Sequence, residues 1–131
     1  MKDCVTSKIR LPDLIGIQVN YISEEDGDLA SFLGNCTPAH FRLLAINDYR
    51  NNATGIKSKF YIDAFSKAAM RTTKEVFFKC IDFSAEDLQI IVRAAHNTER
   101  IVFDYCCIHC SSALDFGANT NYNTKFLSFQ W

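Results

Sequence analysis

Four residues in the last third of the chain carry side chains that could hold a metal ion or perform thiol chemistry: Cys106, Cys107, His109 and Cys110. Thiolates and imidazoles are the ligands that zinc prefers in proteins. The spacing argues against such a site, because neighbouring strand side chains point to opposite faces and no second C-x-x-C or H-x-x-x-H element completes a tetrahedron. We therefore expect structural cysteines, with no metal and no cofactor. A small metal-binding or thiol-redox protein using this cluster is the alternative function.

A cysteine nucleophile would need a histidine base beside it, and the chain offers His40, His96 and His109. The sequence places no third, orienting group at a telling position. His96 lies at the end of the clearest predicted helix, where the helix dipole stabilises a positive imidazole. His40 follows Pro38 in a predicted loop. We therefore expect no catalytic residue and no enzyme.

The size and charge of the chain limit its partners. A length of 131 residues suits a single domain over residues 1–131. Fourteen Lys and Arg oppose fifteen Asp and Glu, so neither nucleic acid nor an anionic membrane surface is an expected partner.

The first residues lack the apolar segment of an export signal, and no apolar run is long enough to span a bilayer. We therefore expect a cytoplasmic protein with six reduced cysteines and no disulfides.

A strand pattern of the form apolar-x-apolar recurs along the chain. Its copies are Ile17-Gln18-Val19, Leu44-Ala45-Ile46, Val76-Phe77-Phe78, Ile101-Val102-Phe103 and Leu127-Ser128-Phe129. Their first residues are separated by 27, 32, 25 and 26 positions, an interval typical of repeat proteins. The clearest copies lie in residues 74–131, whereas the copies in residues 1–60 are divergent.

Segments with helical periodicity separate these strands. The clearest covers residues 84–97, where Ser84 is the expected N-cap. Its expected buried stripe consists of Leu88, Ile91, Val92 and Ala95. A second helix is expected over residues 58–72, and a shorter one over residues 28–33. The expected buried residues of the second helix are Ile62, Phe65 and Ala69.

A strand followed by one crossover helix cannot cover its own apolar face, so successive units must stack. Each strand then hydrogen-bonds its equivalent in the next unit. The sequence therefore predicts an α/β fold, a short right-handed solenoid with a parallel sheet on one face and helices on the other. After Cys110, the triplet Asp115-Phe116-Gly117 and the Asn-rich residues 119–123 should break a helix, so we expect an irregular last crossing.

The segments Cys80-Ile81-Asp82-Phe83-Ser84 and Ile101-Val102-Phe103-Asp104-Tyr105-Cys106-Cys107-Ile108 resemble the leucine-rich repeat pattern L-x-L-x-x-N/C-x-L. The second segment matches it with Ile101, Phe103, Cys106 and Ile108. The resemblance is to the ribonuclease-inhibitor-like type, which has one helix per repeat. It implies a protein-binding scaffold.

Residues between and just after the apolar strand positions should point away from the helices. The expected partner-binding residues are Asn47, Asp48, Phe77, Lys79, Val102, Asp104, Tyr105, Gln130 and Trp131, and Gln18, Asn20 and Tyr21 share their face. Aromatic side chains among mixed charges suit the centre and rim of a protein interface. The expected function is therefore non-catalytic binding of a protein partner. The competing explanation for each position is an ordinary sheet residue with no binding role.

Trp131 falls inside the last strand motif, and no helical segment follows it. An uncapped end of a repeat array exposes apolar surface and an unpaired strand edge. We therefore expect a fragment of a longer repeat array. Self-association or partner binding through this edge is the alternative.

Overall fold

The computed structural model describes residues 16–19, 31–33, 41–47 and 56–130. In these ranges, helices and loops connect parallel strands. The strands in these ranges are β1 (Gly16–Val19), β2 (Phe41–Asn47), β3 (Ile56–Lys57), β4 (Thr72–Lys79), β5 (Ile81–Ser84), β6 (Arg100–Asp104), β7 (Cys107–His109) and β8 (Phe126–Gln130). The α-helices are α1 (Ile62–Met70) and α2 (Ala85–Ala94). One turn of 3₁₀ helix precedes α1 (Ser58–Phe60), and another follows α2 (Ala95–Asn97).

The larger sheet has five parallel strands in the order β1-β2-β4-β6-β8. Its register places Ile17, Leu44, Val76, Ile101 and Leu127 side by side in one row. These are the first residues of the five predicted strand motifs. The prediction of neighbouring parallel strands is therefore confirmed, together with their alignment.

One side of this sheet carries the core, because side chains of the same row and of the row two residues later point the same way. Val76 and Ile101 of the first row are fully buried. In the second row the ring of Phe103 stacks on Phe78, with centroids 5.7 Å apart, and on Phe129, with centroids 5.3 Å apart. Such aromatic pairs contribute about 0.5–1.5 kcal/mol beyond the area that they bury. The stacked rings therefore stabilise the packing of three adjacent strands.

A smaller parallel sheet, in the order β3-β5-β7, continues from the larger one. The single residue Cys80 joins β4 to β5, and Tyr105 follows β6 at the equivalent position. Both have left-handed backbones, with φ of 58° and 50°, which is uncommon without glycine. Hydrogen bonds continue through the bend, because the N–H of Cys80 donates to the carbonyl of Asp104 at 3.1 Å and that of Tyr105 to the carbonyl of Gln130 at 2.8 Å. The left-handed residue that follows a strand of the larger sheet therefore occurs at equivalent positions after β4 and β6. We call this residue the step between the two sheets.

Helix α2 begins at its predicted N-cap. Ser84 has an extended backbone, and its Oγ accepts a hydrogen bond from the N–H of Asp87 at 3.1 Å. This bond satisfies one of the free N–H groups of the first turn, and the carboxylate of Asp87 is favoured there by the helix dipole. Leu88, Ile91 and Val92 are buried. The sequence prediction of this helix is therefore confirmed.

Helix α1 is shorter than the prediction of residues 58–72. Its first residues form the 3₁₀ turn, and Thr72 already belongs to β4, where a β-branched side chain packs well. The hydroxyl of Thr72 donates to the carbonyl of Ala68 at 2.9 Å and so satisfies an acceptor at the end of the helix. Phe65 is buried as expected, whereas Ile62 is only partly buried. The first turn of α1 is therefore less buried than the periodicity predicts.

The third helix prediction falls partly outside the described residues. Of the short helix predicted over residues 28–33, residues 31–33 are described and are helical, and Leu33 is fully buried.

None of the helices in the described ranges is long and apolar enough to cross a membrane.

The crossing from β7 to β8 is irregular, as predicted, and contains no helix within the described residues. Asp115 Oδ1 accepts a hydrogen bond from the N–H of Gly117 at 2.7 Å. Gly117 has a φ of 83°, a conformation that glycine adopts without steric cost. Arg93 Nη2 of α2 donates to the carbonyl of Asp115 at 2.7 Å. The side chains of the crossing that pack against the core are Leu114, Phe116 and Tyr122.

Candidate interaction surface

The face of the larger sheet that points away from the core is called the outer face, and its side chains form three rows. The rows are Leu43, Glu75, Arg100 and Phe126; Gln18, Ala45, Phe77, Val102 and Ser128; and Asn47, Lys79, Asp104 and Gln130. No member of these rows belongs to the hydrophobic core cluster of the described residues. The alternation of side chains therefore separates a core face from an outer face, as the sequence predicts.

Two ion pairs connect β4 to β6 on the outer face. Arg100 Nε lies 2.8 Å from Glu75 Oε2, and Lys79 Nζ lies 2.7 Å from Asp104 Oδ2. The acid is on β4 in the first pair and on β6 in the second, so each strand contributes one charge of each sign. Partly exposed pairs of this kind contribute about 0–1 kcal/mol to stability. Because each pair joins one acid to one base, the two pairs together add no net charge to the outer face.

An exposed aromatic ring lies beside each of the two cations. Arg100 Cζ is 4.2 Å from the ring centroid of Phe126, and Lys79 Nζ is 5.2 Å from that of Tyr105. Tyr105 is 61% exposed and Phe126 is 43% exposed. A cation beside an aromatic face is attracted to it by about 0.5–1 kcal/mol at an exposed site. Both rings are therefore positioned by the ion pairs while they present apolar surface to solvent.

The predicted partner-binding residues differ widely in exposure. Those with accessible side chains are Tyr105 and Gln130, which are exposed, and Phe77 and Lys79, which are partly exposed. Gln18 is also exposed. Asp48 and Trp131, like Asn20 and Tyr21, lie outside the described residues.

Three of the expected partner-binding residues are buried in the structure, contrary to the expectation that they are exposed. Asn47 and Val102 are 2% exposed, and Asp104 is 8% exposed. Val102 is short and lies between Phe77 and Ser128 in its row, with an ion pair on either side. Asp104 is one partner of the second ion pair. Exposure on this face depends on neighbours across the sheet, which alternation along one strand does not reveal.

The sequence interpretation did not name Ala45 and Ser128 among the residues of this face, and it missed one whole row of the outer face, whose charged and aromatic members are Glu75, Arg100 and Phe126. This row lies two residues before Phe77, Val102 and Ser128. Extending the alternation by one step towards the start of each strand would have included them. The pairing of Arg100 with an acid on one side and a ring on the other could not be inferred from one strand alone.

The cysteine cluster is divided between the interior and the surface. Cys106 is 2% exposed, and its Sγ lies 3.5 Å from the carbonyl oxygens of Phe78 and Asp104. Burial raises the pKa of the Cys106 thiol to about 12, so the thiol stays protonated at neutral pH. Cys107 and Cys110 are exposed. In the described part of the chain, no group of three or more His, Cys, Asp or Glu residues could hold a metal ion.

A groove of about 590 Å³ lies beside the smaller sheet and includes Ser58, Asp82, Asp87 and His109 in its lining. The hydroxyl of Ser58 donates to Asp87 Oδ2 at 2.7 Å. Nε2 of His109 lies 3.9 Å from Asp82 Oδ2. Ser58 and His109 therefore each lie beside a different carboxylate.

A second groove, of about 510 Å³, lies where β4 begins and includes Lys74, Glu99 and Lys125 in its lining. Lys74 Nζ donates to Glu99 Oε1 at 2.6 Å. This hydrogen bond lowers the pKa of the Glu99 carboxyl. The groove is open, and its acid is already paired.

No known protein family, curated protein or solved structure matches the chain. The described residues define a mixed α/β protein with a parallel sheet, a core on one face of that sheet and, on the other, a surface that carries aromatic side chains and paired charges.

Proposed function

We propose that the protein is a non-catalytic interaction module, a short right-handed leucine-rich-repeat-like solenoid that binds a protein partner through the outer face. The observation that carries the proposal is the pair of exposed rings, Tyr105 and Phe126, each held beside a cation that is itself neutralised by an acid. Aromatic anchors of this kind contribute most of the binding energy at many protein interfaces.

The strand register supports the repeat architecture. Five parallel strands align their first apolar residues in one row, although the separations along the chain range from 25 to 32 residues. The left-handed residues Cys80 and Tyr105 follow β4 and β6 at equivalent positions. Such recurrence of a whole strand-and-step unit is what stacked repeats require.

The charge balance of the outer face supports an apolar or aromatic partner segment. The carboxylates of Glu75 and Asp104 already have cationic partners within the face. A charged partner would have to compete with these pairs, whereas an apolar partner would gain by covering Tyr105, Phe77 and Phe126. Charges that become buried in proteins are normally paired, and aromatic residues are enriched at protein interfaces.

The alternative of a metal-binding or thiol-redox protein has weaker support. Its four residues do not converge, because Cys106 is buried while Cys107, His109 and Cys110 are exposed. The exposed free thiols instead support a reducing, cytoplasmic location, since exposed cysteines oxidise in secreted proteins.

Site-specific crosslinking tests the proposed binding face. A photoreactive amino acid at Tyr105 should capture a partner in cells, and the same group at Ile90 on α2, which is 38% exposed, serves as the matched control. The captured protein is then purified and its affinity measured by calorimetry. Tyr105→Ala or Phe126→Ala should weaken binding roughly tenfold or more, and Ile90→Ala should not. Equal affinity for all variants would contradict the proposed face.

A further inference from the structure

One ion pair interrupts the otherwise uncharged first two rows of the outer face. As far as the structure describes these rows, Arg100 is their only cation and Glu75 their only acid. The two residues lie on β6 and β4, which are both interior strands of the larger sheet. Their side chains are 45% and 35% exposed. A partner that covers this part of the face therefore meets one accessible pair of charges.

Neighbours on both sides hold the guanidinium of Arg100. Its Nε lies 2.8 Å from Glu75 Oε2 on β4, and its Cζ lies 4.2 Å from the ring centroid of Phe126 on β8. Glu75 is thus placed at the Nε side of the planar group. A guanidinium carries five N–H donors. Arg100 therefore has further donors, which its partial exposure leaves accessible to a ligand.

The carboxylate of Glu75 determines which acceptor suits these donors. A second carboxylate beside Arg100 would come close to Glu75, and two negative charges around one cation repel each other. The carbonyl oxygen of a peptide or amide group carries no net charge and meets no such repulsion. The arrangement therefore favours a neutral acceptor over an acidic one.

The second ion pair of the outer face is more enclosed. The side chains of Lys79 and Asp104 are 26% and 12% exposed, and the ring of Tyr105 lies beside Lys79. Arg100 is therefore the more accessible of the two paired cations, and its acid has the greater influence on what can bind.

We propose that Glu75 is a specificity-determining residue of the outer face, whose carboxylate occupies Arg100 and so admits an uncharged partner segment while excluding an acidic one. The admitted segment places a peptide or amide carbonyl on Arg100, beside the apolar side chains that it covers. Proteins discriminate between partners by repelling the wrong one as well as by attracting the right one. This inference rests on the function proposed for the outer face, because it gives Glu75 a role only in binding there.

Two short peptides with blocked ends test this role: hexaglutamate is the acidic probe, and hexaglutamine is the uncharged probe of the same length. Each is titrated into the protein while nuclear magnetic resonance follows the side-chain Nε–H signal of Arg100, which separates binding at this residue from binding at other cations. Wild type should bind hexaglutamate at Arg100 with a dissociation constant of about 1 mM or more. Glu75→Gln removes the repulsion and should lower that constant roughly tenfold, while the affinity for hexaglutamine stays that of wild type.

Asp63→Asn is the matched control variant. It removes the same charge from an ion pair with Lys67 on α1, which packs on the core side of the sheet. Its affinity for both peptides at Arg100 should equal that of wild type. Glu75→Ala is a second variant of the same position and should behave like Glu75→Gln. Circular dichroism verifies that each variant is folded.

Three results would overturn the proposal. They are folded Glu75 variants that bind hexaglutamate no more tightly than wild type, an equal gain for Asp63→Asn, and wild type that binds hexaglutamate at Arg100 more tightly than hexaglutamine. These titrations use no natural partner, whereas the affinities of Tyr105→Ala and Phe126→Ala for the captured partner decide the function proposed for the face. Either proposal can therefore fail without the other.

Discussion

The thiol of Cys106 is kept protonated by its buried position just after β6. It belongs to the core cluster, and the carbonyl oxygens of Phe78 and Asp104 are within hydrogen-bonding distance of its sulfur. Burial, which disfavours the thiolate, is the main cause of the raised pKa of Cys106, and backbone hydrogen bonds at Ile81 and Asp104 oppose it. Cys107, the next residue, is exposed. Two adjacent cysteines therefore have different chemistry because one side chain faces the core and the other faces solvent.

Alkaline pH should reduce the stability of the protein through Cys106. Folding raises the thiol pKa from 9.0 to about 12. Because the folded-state pKa is the higher one, the contribution of this thiol is fully present below pH 9.0 and is lost as the pH rises towards 12. Urea unfolding at about pH 8 and about pH 10.5 should show a larger decrease in unfolding free energy for wild type than for Cys106→Ala.

Cys107→Ala is the control for this measurement, because Cys107 is exposed. It should lose as much stability as wild type over the same pH range. A decrease that is identical in wild type and Cys106→Ala would show that burial of this thiol is not linked to folding.

At the level of single residues, the sequence predicted side-chain direction better than accessibility. It assigned Val102 correctly to the outer face, because direction follows from alternation along one strand. It did not predict that Val102 is buried there. Residues on neighbouring strands and the two ion pairs between β4 and β6 cover this side chain. Accessibility on a sheet is a property of several strands together.

Helix α2 depends on its N-cap at the point where β5 ends. Ser84→Ala should lower the unfolding free energy by about 1 kcal/mol, because the N–H of Asp87 loses its acceptor. Chemical denaturation measures this change. Ser111→Ala, in the exposed crossing after β7, is the matched control and should change stability by less than about 0.5 kcal/mol. Equal effects of the two substitutions would mean that the cap is not needed.

At the level of elements, periodicity predicted α2 and the five strands of the larger sheet but extended α1 too far. The stripe of α2 is regular, and Ser84 marks its start. The end of α1 is set by Thr72, whose carbonyl accepts a hydrogen bond from the Thr98 hydroxyl at 2.7 Å. That contact joins residues 26 positions apart, and a local pattern cannot reveal it. The smaller sheet was missed because its strands are too short to show a periodic pattern: β3 has only two residues and β7 only three.

Across the whole molecule, the stacked rings should make the cost of a core substitution depend on its place in the sheet. Phe103 lies between Phe78 and Phe129 and also meets the edge of Phe83. Phe129 is partly buried on the terminal strand. Phe103→Leu should cost about 1–2 kcal/mol and Phe129→Leu less than half of that. Thermal and urea unfolding of both variants would test this order, and equal costs would contradict it.

The matching steps at Cys80 and Tyr105 also limit where the chain can change in length. Residues 75–84 and 100–109 run in register through both sheets. A single insertion or deletion inside either stretch would turn every later strand side chain towards the wrong face. The irregular crossing carries no such constraint, and Ser111 within it is exposed. A fluorescent label or a flexible tether placed there would leave the ladder and both of its faces intact.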